Sequence, residues 1–178
     1  MVLILLLTGV PGIGKTTIIK RLVGRLTEFT VNGFYTEEIR NGIQRVGFRL
    51  IGLRGPSGVI AHVDFDCPHR VGRNKVEVAK IDYLANANLA AVDAELTLID
   101  EIGKIECLSP AFVSRIKTIL EAGGPLVATI AKKGGGFIEE IKHRSDCELW
   151  EVTLQNRNHM PEKVLFWLMQ RGIIRADS

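Results

Sequence analysis

Residues 2–17 read VLILLLTGVPGIGKTT. Six apolar residues, Val2 to Leu7, run straight into a glycine-rich loop, and a helical pattern starts near Lys15. An unbroken apolar run of that kind reads as a strand covered on both faces of a parallel sheet. Past the loop, Ile18, Ile19, Leu22, Val23 and Leu26 share one helical face, while Lys20, Arg21 and Arg25 lie on the other.

The loop Gly9-Val10-Pro11-Gly12-Ile13-Gly14-Lys15-Thr16 fits the pattern GxxxxGK[ST] in full, with Thr17 just beyond it. Its glycines let the chain curl so that backbone N–H groups converge on phosphate oxygens. The next helix adds the positive end of its dipole. Lys15 is expected to reach the β and γ phosphates, and the Thr16 hydroxyl to ligate Mg²⁺.

Working outward, VNGFYTEEIRNGIQRVGFRLI (31–51) places Asn41-Gly42 between two strand-like runs, a hairpin signal because both turn positions tolerate positive φ. The turn-rich GLRGPSG leads into a short strand, 59–63. Residues 31–63 therefore read as antiparallel strands inserted after the first helix, and 64–75 as irregular. A helix is expected over 76–92, buried through Val78, Ile81, Leu84 and Leu89. Further strands are expected at 96–100, 125–131 and 149–153. Ser109-Pro110 opens another helix, with Phe112, Val113, Ile116, Ile119 and Leu120 inward and Gly123 ending it. A short helix is expected over 137–144, and a last one from Pro161 to about Gln170. Strands alternating with helices predict an α/β fold: a mostly parallel sheet, helices on both faces and an inserted antiparallel hairpin. A chain of 178 residues suggests a single domain, 1–178.

Composition narrows the function classes. The net charge is +3 and Lys and Arg are scattered, so nucleic acid is not implied. Three cysteines, Cys67, Cys107 and Cys147, stand far apart, which argues against a disulfide framework and for a reducing, cytoplasmic setting. The first residues lack the positive segment of a signal peptide. No apolar run approaches the roughly 18 residues a membrane span needs.

A phosphate loop of this kind needs a second metal-side acid at the tip of a neighbouring strand. LTLIDEIGK (96–104) supplies it: Asp100 leaves the strand at the C-terminal edge of the sheet, where ligands bind in open α/β sheets. Asp100 is expected to hold Mg²⁺ through water; the plainer alternative is an Asp capping a turn. Glu101, beside it, suits a base that orients and deprotonates water, or is a solvated loop carboxylate. Thr129 senses the γ-phosphate or packs in the core. KKGGG (132–136) is a loop over the phosphates or a flexible connector. AHVDFDCPHR (61–70) mixes metal-ligating residue types without a known ligand spacing. QNRNH (155–159) meets the base or a phosphate through its amides and Arg157, or caps the last helix.

Together the phosphate loop, GFYTEEIRNGIQRVGFRL, IDEIGKIE and NRNH resemble the family of nucleoside-triphosphatases that includes thermophilic nucleotide phosphatases and the human cancer-related nucleoside-triphosphatase. The likeness runs from about residue 3 to residue 165. It implies a RecA-like sheet and slow, base-tolerant hydrolysis of nucleoside triphosphates to the diphosphate and phosphate. It implies nucleotide-binding positions at Gly9 to Thr16 and over Asp100, Glu101, Ile102, Gly103 and Lys104, with Glu101 as the water-activating acid. Asn156 and Arg157 match its C-terminal motif. The chain departs from the family at Asn74, where an aromatic residue is usual, and in AKKGGG, where a proline-containing loop is common.

The leading expectation is thus a Mg²⁺-dependent hydrolase. A small-molecule or nucleotide kinase with its acceptor over residues 31–75, and a non-enzymatic switch, are the alternatives. No arginine finger is evident; Arg40, Arg45, Arg54, Arg70 and Arg144 are the candidates.

Overall fold

The computed structural model describes residues 1–90 and 93–175. In chain order the elements are β1 (Ile4–Gly9), α1 (Lys15–Arg25), β2 (Val31–Asn41), β3 (Gln44–Gly52), β4 (Gly58–His62), β5 (His69–Val71), β6 (Asn74–Val76), α2 (Val78–Asn88), β7 (Leu96–Ile102), a 3₁₀ turn (Glu106–Leu108), α3 (Pro110–Ala122), β8 (Leu126–Ala131), α4 (Phe137–Lys142), β9 (Cys147–Glu151) and α5 (Met160–Gln170). The helix expected over 76–92 is shorter: Val76 belongs to β6 and α2 ends at Asn88, with 91 and 92 outside the described residues.

All the strands join one nine-stranded sheet in the order β5-β6-β4-β3-β2-β7-β8-β1-β9. From β2 to β9 every pairing is parallel; from β2 to β5 every pairing is antiparallel. The parallel half has the strand order of a RecA-like core, with β8 between β1 and β7. The two sequence motifs therefore do not stand on neighbouring strands, as expected from the sequence, but one strand apart.

Alternation along β1 shows why this half needs helices on both faces. Ile4 and Leu6 join the apolar cluster under α2, α3 and α4, with Ile81, Phe112 and Ile138. Leu5 and Leu7 join the opposite cluster, with Ile18 and Ile19 of α1 and Val164 and Leu168 of α5. Ser109 caps α3 as expected, its hydroxyl accepting from the Phe112 N–H at 3.0 Å.

Several boundaries move. β1 starts and ends two residues later than the apolar run suggests, because its ladder to β8 continues through Thr8↔Ile130 and Gly9↔Ala131. β9 lies earlier than expected, paired with β1 from Ile4↔Cys147 to Thr8↔Glu151. Residues 64–75 are not all irregular: β5 and β6 form a small hairpin that extends the sheet. The 31–63 strands follow the first helix and pair antiparallel as expected, but the first of them also joins the parallel core. Val31 to Phe34 pair with Leu96 to Ile99 inside the parallel core, and the same strand runs on to pair with β3. One long strand thus belongs to both halves.

Candidate functional site

The β1–α1 loop closes through Gly12 and Gly14, at φ +79° and +116°, conformations that residues with a side chain adopt rarely. α1 begins at Lys15, so its free N–H groups face the loop. Lys15 is buried. Its Nζ donates to Gly9 O at 2.9 Å and stands 3.5 Å from Glu101 Oε2. The two residues expected to do the chemistry therefore meet as an ion pair.

Asp100 is 1% exposed and gathers hydroxyls from three elements. Thr16 Oγ1 of α1 donates to its Oδ2 at 2.7 Å, Thr36 Oγ1 of β2 to the same oxygen at 3.2 Å, and Thr129 Oγ1 of β8 to Oδ1 at 2.6 Å. The Thr36 N–H adds a further bond to Oδ2 at 3.3 Å. Thr129 does more than fill the core: from the intervening strand it bridges β8 to the acid on β7. Thr16 and Asp100 together offer hydroxyl and carboxylate oxygens, the ligand types a hard divalent cation takes. A hydroxyl that donates to Asp100 keeps its lone pairs for such an ion.

Glu101 follows Asp100 across a cis peptide bond. Its side chain is 31% exposed. Burial pushes its carboxyl above the ordinary range, Lys15 pulls the other way, and the Asp100 charge adds to the rise. A carboxyl whose proton affinity is raised accepts a proton more readily than an ordinary one.

These groups line one end of a cavity of about 1200 Å³. Gly9, Val10, Pro11, Gly12, Gly14, Thr17 and Lys104 line it too. The side chains of Ile13 and Ile102 instead belong to the core. Arg157 packs against the loop, Nη1 donating to Ile13 O at 3.3 Å. Asn156 serves the turn after β9: its Oδ1 accepts from the Thr153 N–H at 2.9 Å and its Nδ2 donates to Glu151 O at 2.8 Å. These bonds hold the turn that leads to α5.

The hairpins form the other end, with Glu38, Arg40, Arg45, Phe48, Arg73 and Asn74 in the wall. Of the five arginines considered from the sequence, only Arg40 and Arg45 line the cavity, and both pair with Glu38. Arg73 lines it without a carboxylate partner among the described residues; its Nη2 donates to Arg45 O at 2.6 Å. At the site of the metal-like mixture, His62 Nδ1 accepts from the Asp64 N–H at 3.2 Å. No group of three His, Cys, Asp or Glu side chains among the described residues is placed to hold a metal. Lys132 and Lys133 of the glycine-rich segment do line the cavity, with Lys132 paired to Glu151.

Sequence reasoning missed Thr36, Arg73 and Glu106. The signal for Thr36 was present in GFYTEE, but only the pairing of β2 with β7 brings it to an acid 64 residues away. Arg73 had no local signal, and Glu106 closes the motif IDEIGKIE without being given a role there.

A phosphate loop at the tip of β1, a buried acid one strand removed and a parallel core of this order define a P-loop nucleotide-hydrolase architecture. The family model described as NTPase matches residues 4–165, and the chain belongs to that family. The nucleoside-triphosphatase THEP1 of Thermotoga maritima is 39% identical over 163 residues, covering 90% of this chain and 92% of that one. The human cancer-related nucleoside-triphosphatase is 36% identical over 171 residues, covering 86% and 90%. The crystal structure of THEP1 from the hyperthermophile Aquifex aeolicus superposes with a TM-score of 0.84 at 34% identity, over 92% of this chain and 98% of that one.

Proposed function

We propose that this chain is a Mg²⁺-dependent nucleoside-triphosphatase that converts NTP to NDP and phosphate with broad base tolerance and slow turnover. One observation carries the reading: Lys15, Thr16, Asp100 and Glu101 meet at one end of a cavity, although Thr16 and Asp100 lie 84 residues apart in the chain. The loop N–H groups and Lys15 bind and neutralise the triphosphate. Thr16 and Asp100 hold Mg²⁺, which when bound neutralises charge on the phosphate oxygens. Glu101 orients a water for in-line attack and takes its proton.

Slow turnover is supported by the arginines. Arg40 and Arg45 both pair with Glu38, which leaves Arg73 as the cavity arginine without a carboxylate partner among the described residues; slow turnover requires that it not act as a finger, a contribution worth roughly 10³- to 10⁵-fold. Broad base tolerance rests on the family alone. Among the described residues no helix is long and apolar enough to cross a membrane, which suits the cytoplasmic setting the cysteines suggest. One sheet running through both halves supports treating 1–178 as a single domain.

Phosphate release over a panel of NTPs, for wild type and Glu101→Gln, tests the proposal. The expected outcome is release without any added acceptor, abolished by EDTA, and slowed roughly 10²- to 10⁴-fold by Glu101→Gln. The room at the hairpin end favours one second reading, a kinase with its acceptor there. That reading predicts a phosphorylated second substrate and no free phosphate in its absence.

A further inference from the structure

Three threonines donate to Asp100, but they do not share one oxygen. Thr129, fully buried, takes Oδ1, and it does not belong to the cavity wall. Thr16 and Thr36 both take Oδ2, and both line the cavity together with the acid itself. Oδ1 is thus the anchored end of the carboxylate, and Oδ2 is the end that meets the cavity-facing hydroxyls.

Thr36 stands where β2 passes from one half of the sheet to the other. The ladder to β7 ends at Phe34↔Ile99, and the strand runs on beside β3 with Thr36 opposite Leu50. Past that last rung Thr36 still reaches β7 through Asp100 Oδ2, with its backbone N–H at 3.3 Å and its hydroxyl at 3.2 Å. Two donors from one residue on one oxygen fix where the hydroxyl sits. Its bond is longer than the roughly 2.7–2.8 Å usual for O–H to oxygen, whereas Thr16 reaches the same oxygen at 2.7 Å. A hydroxyl that gives its proton to an acid keeps both lone pairs for another partner. Hydroxyl oxygens beside a carboxylate suit a hard divalent cation.

We propose that Thr36 is a further protein contact of the metal site: its hydroxyl oxygen, with that of Thr16, ligates the divalent cation that Asp100 attracts. The inference rests on the Mg²⁺ dependence proposed above. Because β2 belongs to both halves of the sheet, ligation at Thr36 ties the hairpins to the filled metal site.

The test measures the Kd of a non-hydrolysable NTP with Mg²⁺, with Cd²⁺ and with EDTA, in wild type, Thr36→Val, Thr36→Ser, Thr36→Cys and Thr129→Cys. The ratio of the EDTA value to the metal value reads the contribution of the ion. Thr36→Val keeps the shape of the side chain and removes the oxygen; it is expected to lower the Mg²⁺ ratio roughly 10-fold or more, the scale on which metal sites lose affinity, with the EDTA value unchanged. Thr36→Ser, which keeps the oxygen, is expected within about 3-fold of wild type. Thr36→Cys places a soft sulfur at the site, so it is expected to favour Cd²⁺ over Mg²⁺ roughly 10-fold more than wild type does, with a new ultraviolet absorption from a thiolate–Cd²⁺ bond. A threonine that only orients Asp100 gains no such absorption, and Thr129→Cys, at the anchored oxygen, is expected to show none. A wild-type Mg²⁺ ratio in Thr36→Val, or no Cd²⁺ absorption in Thr36→Cys beyond that of wild type and Thr129→Cys, overturns the inference and leaves the Mg²⁺ dependence standing. Equal Kd with Mg²⁺ and EDTA in wild type overturns both together.

Discussion

On the parallel half of the sheet, Asp100 takes hydrogen bonds from threonines on α1, β2 and β8. On the antiparallel half, charged side chains neutralise one another along the cavity wall, Arg40 and Arg45 both on Glu38. The first arrangement leaves a buried acid one orientation. The second is a set of partly exposed pairs, each worth about 0–1 kcal/mol and free to exchange partners. The difference teaches where chemistry sits in this fold: groups that must be placed to a fraction of an ångström stand where several parallel strands end together, and groups that adapt to a ligand stand on the hairpins.

The sharpest way to break that contrast is Lys15→Ala. It removes the cation at the ordered end and is expected to lower kcat/KM for phosphate release by roughly 10²- to 10³-fold. A loss smaller than roughly 10-fold would place the decisive charge elsewhere. Next in size is a stability effect confined to the parallel half. Glu106 holds its proton to about pH 8 when folded, against an ordinary 4.5. Between those values the folded chain binds a proton that the unfolded chain releases, so the contribution of Glu106 to stability is full below about 4.5 and is lost as pH rises toward 8. The slope is at most about 1.4 kcal/mol per pH unit. Thermal melts of the ligand-free protein from about pH 5 to about pH 8 should show the fall in wild type and not in Glu106→Gln; an unchanged slope in the variant would move its origin to other groups. The smallest effect is expected at the hairpin end. Arg73→Ala removes a cation without a carboxylate partner among the described residues and should raise KM about 5-fold, the equivalent of roughly 1 kcal/mol. If turnover itself instead fell by roughly 10³-fold, Arg73 would be an arginine finger in cis, and the slow-turnover reading would fail.

The two halves also differed in how far the sequence revealed them. The loop, α1 and the strand ending at Asp100 could be read because each carries its own local signal: an apolar run, a glycine pattern, a helical face. The α3 cap was equally local. What escaped was every feature made by pairing over distance. Nothing near Thr36 says that β2 lies beside β7. Residues 64–75, rich in turn formers, conceal β5 and β6, each only three residues long. Glu106 reads as one more polar residue after a strand, and only the folded turn brings it up to Gly103. In the C-terminal motif, Arg157 reaches the phosphate loop while the Asn156 amide bonds within its own turn.

The ion pair between Lys15 and Glu101 has a consequence for the resting protein. Lys15, the proposed phosphate ligand, already pairs with an anion the chain itself supplies, so in the proposed reaction Glu101 acts as a built-in competitor of the phosphate. In the proposed reaction, a bound triphosphate displaces it and frees the carboxylate proposed to activate the attacking water. Binding and activation are then one exchange of partners at a single ammonium group, and affinity for the nucleotide is reduced by the strength of the pair it replaces.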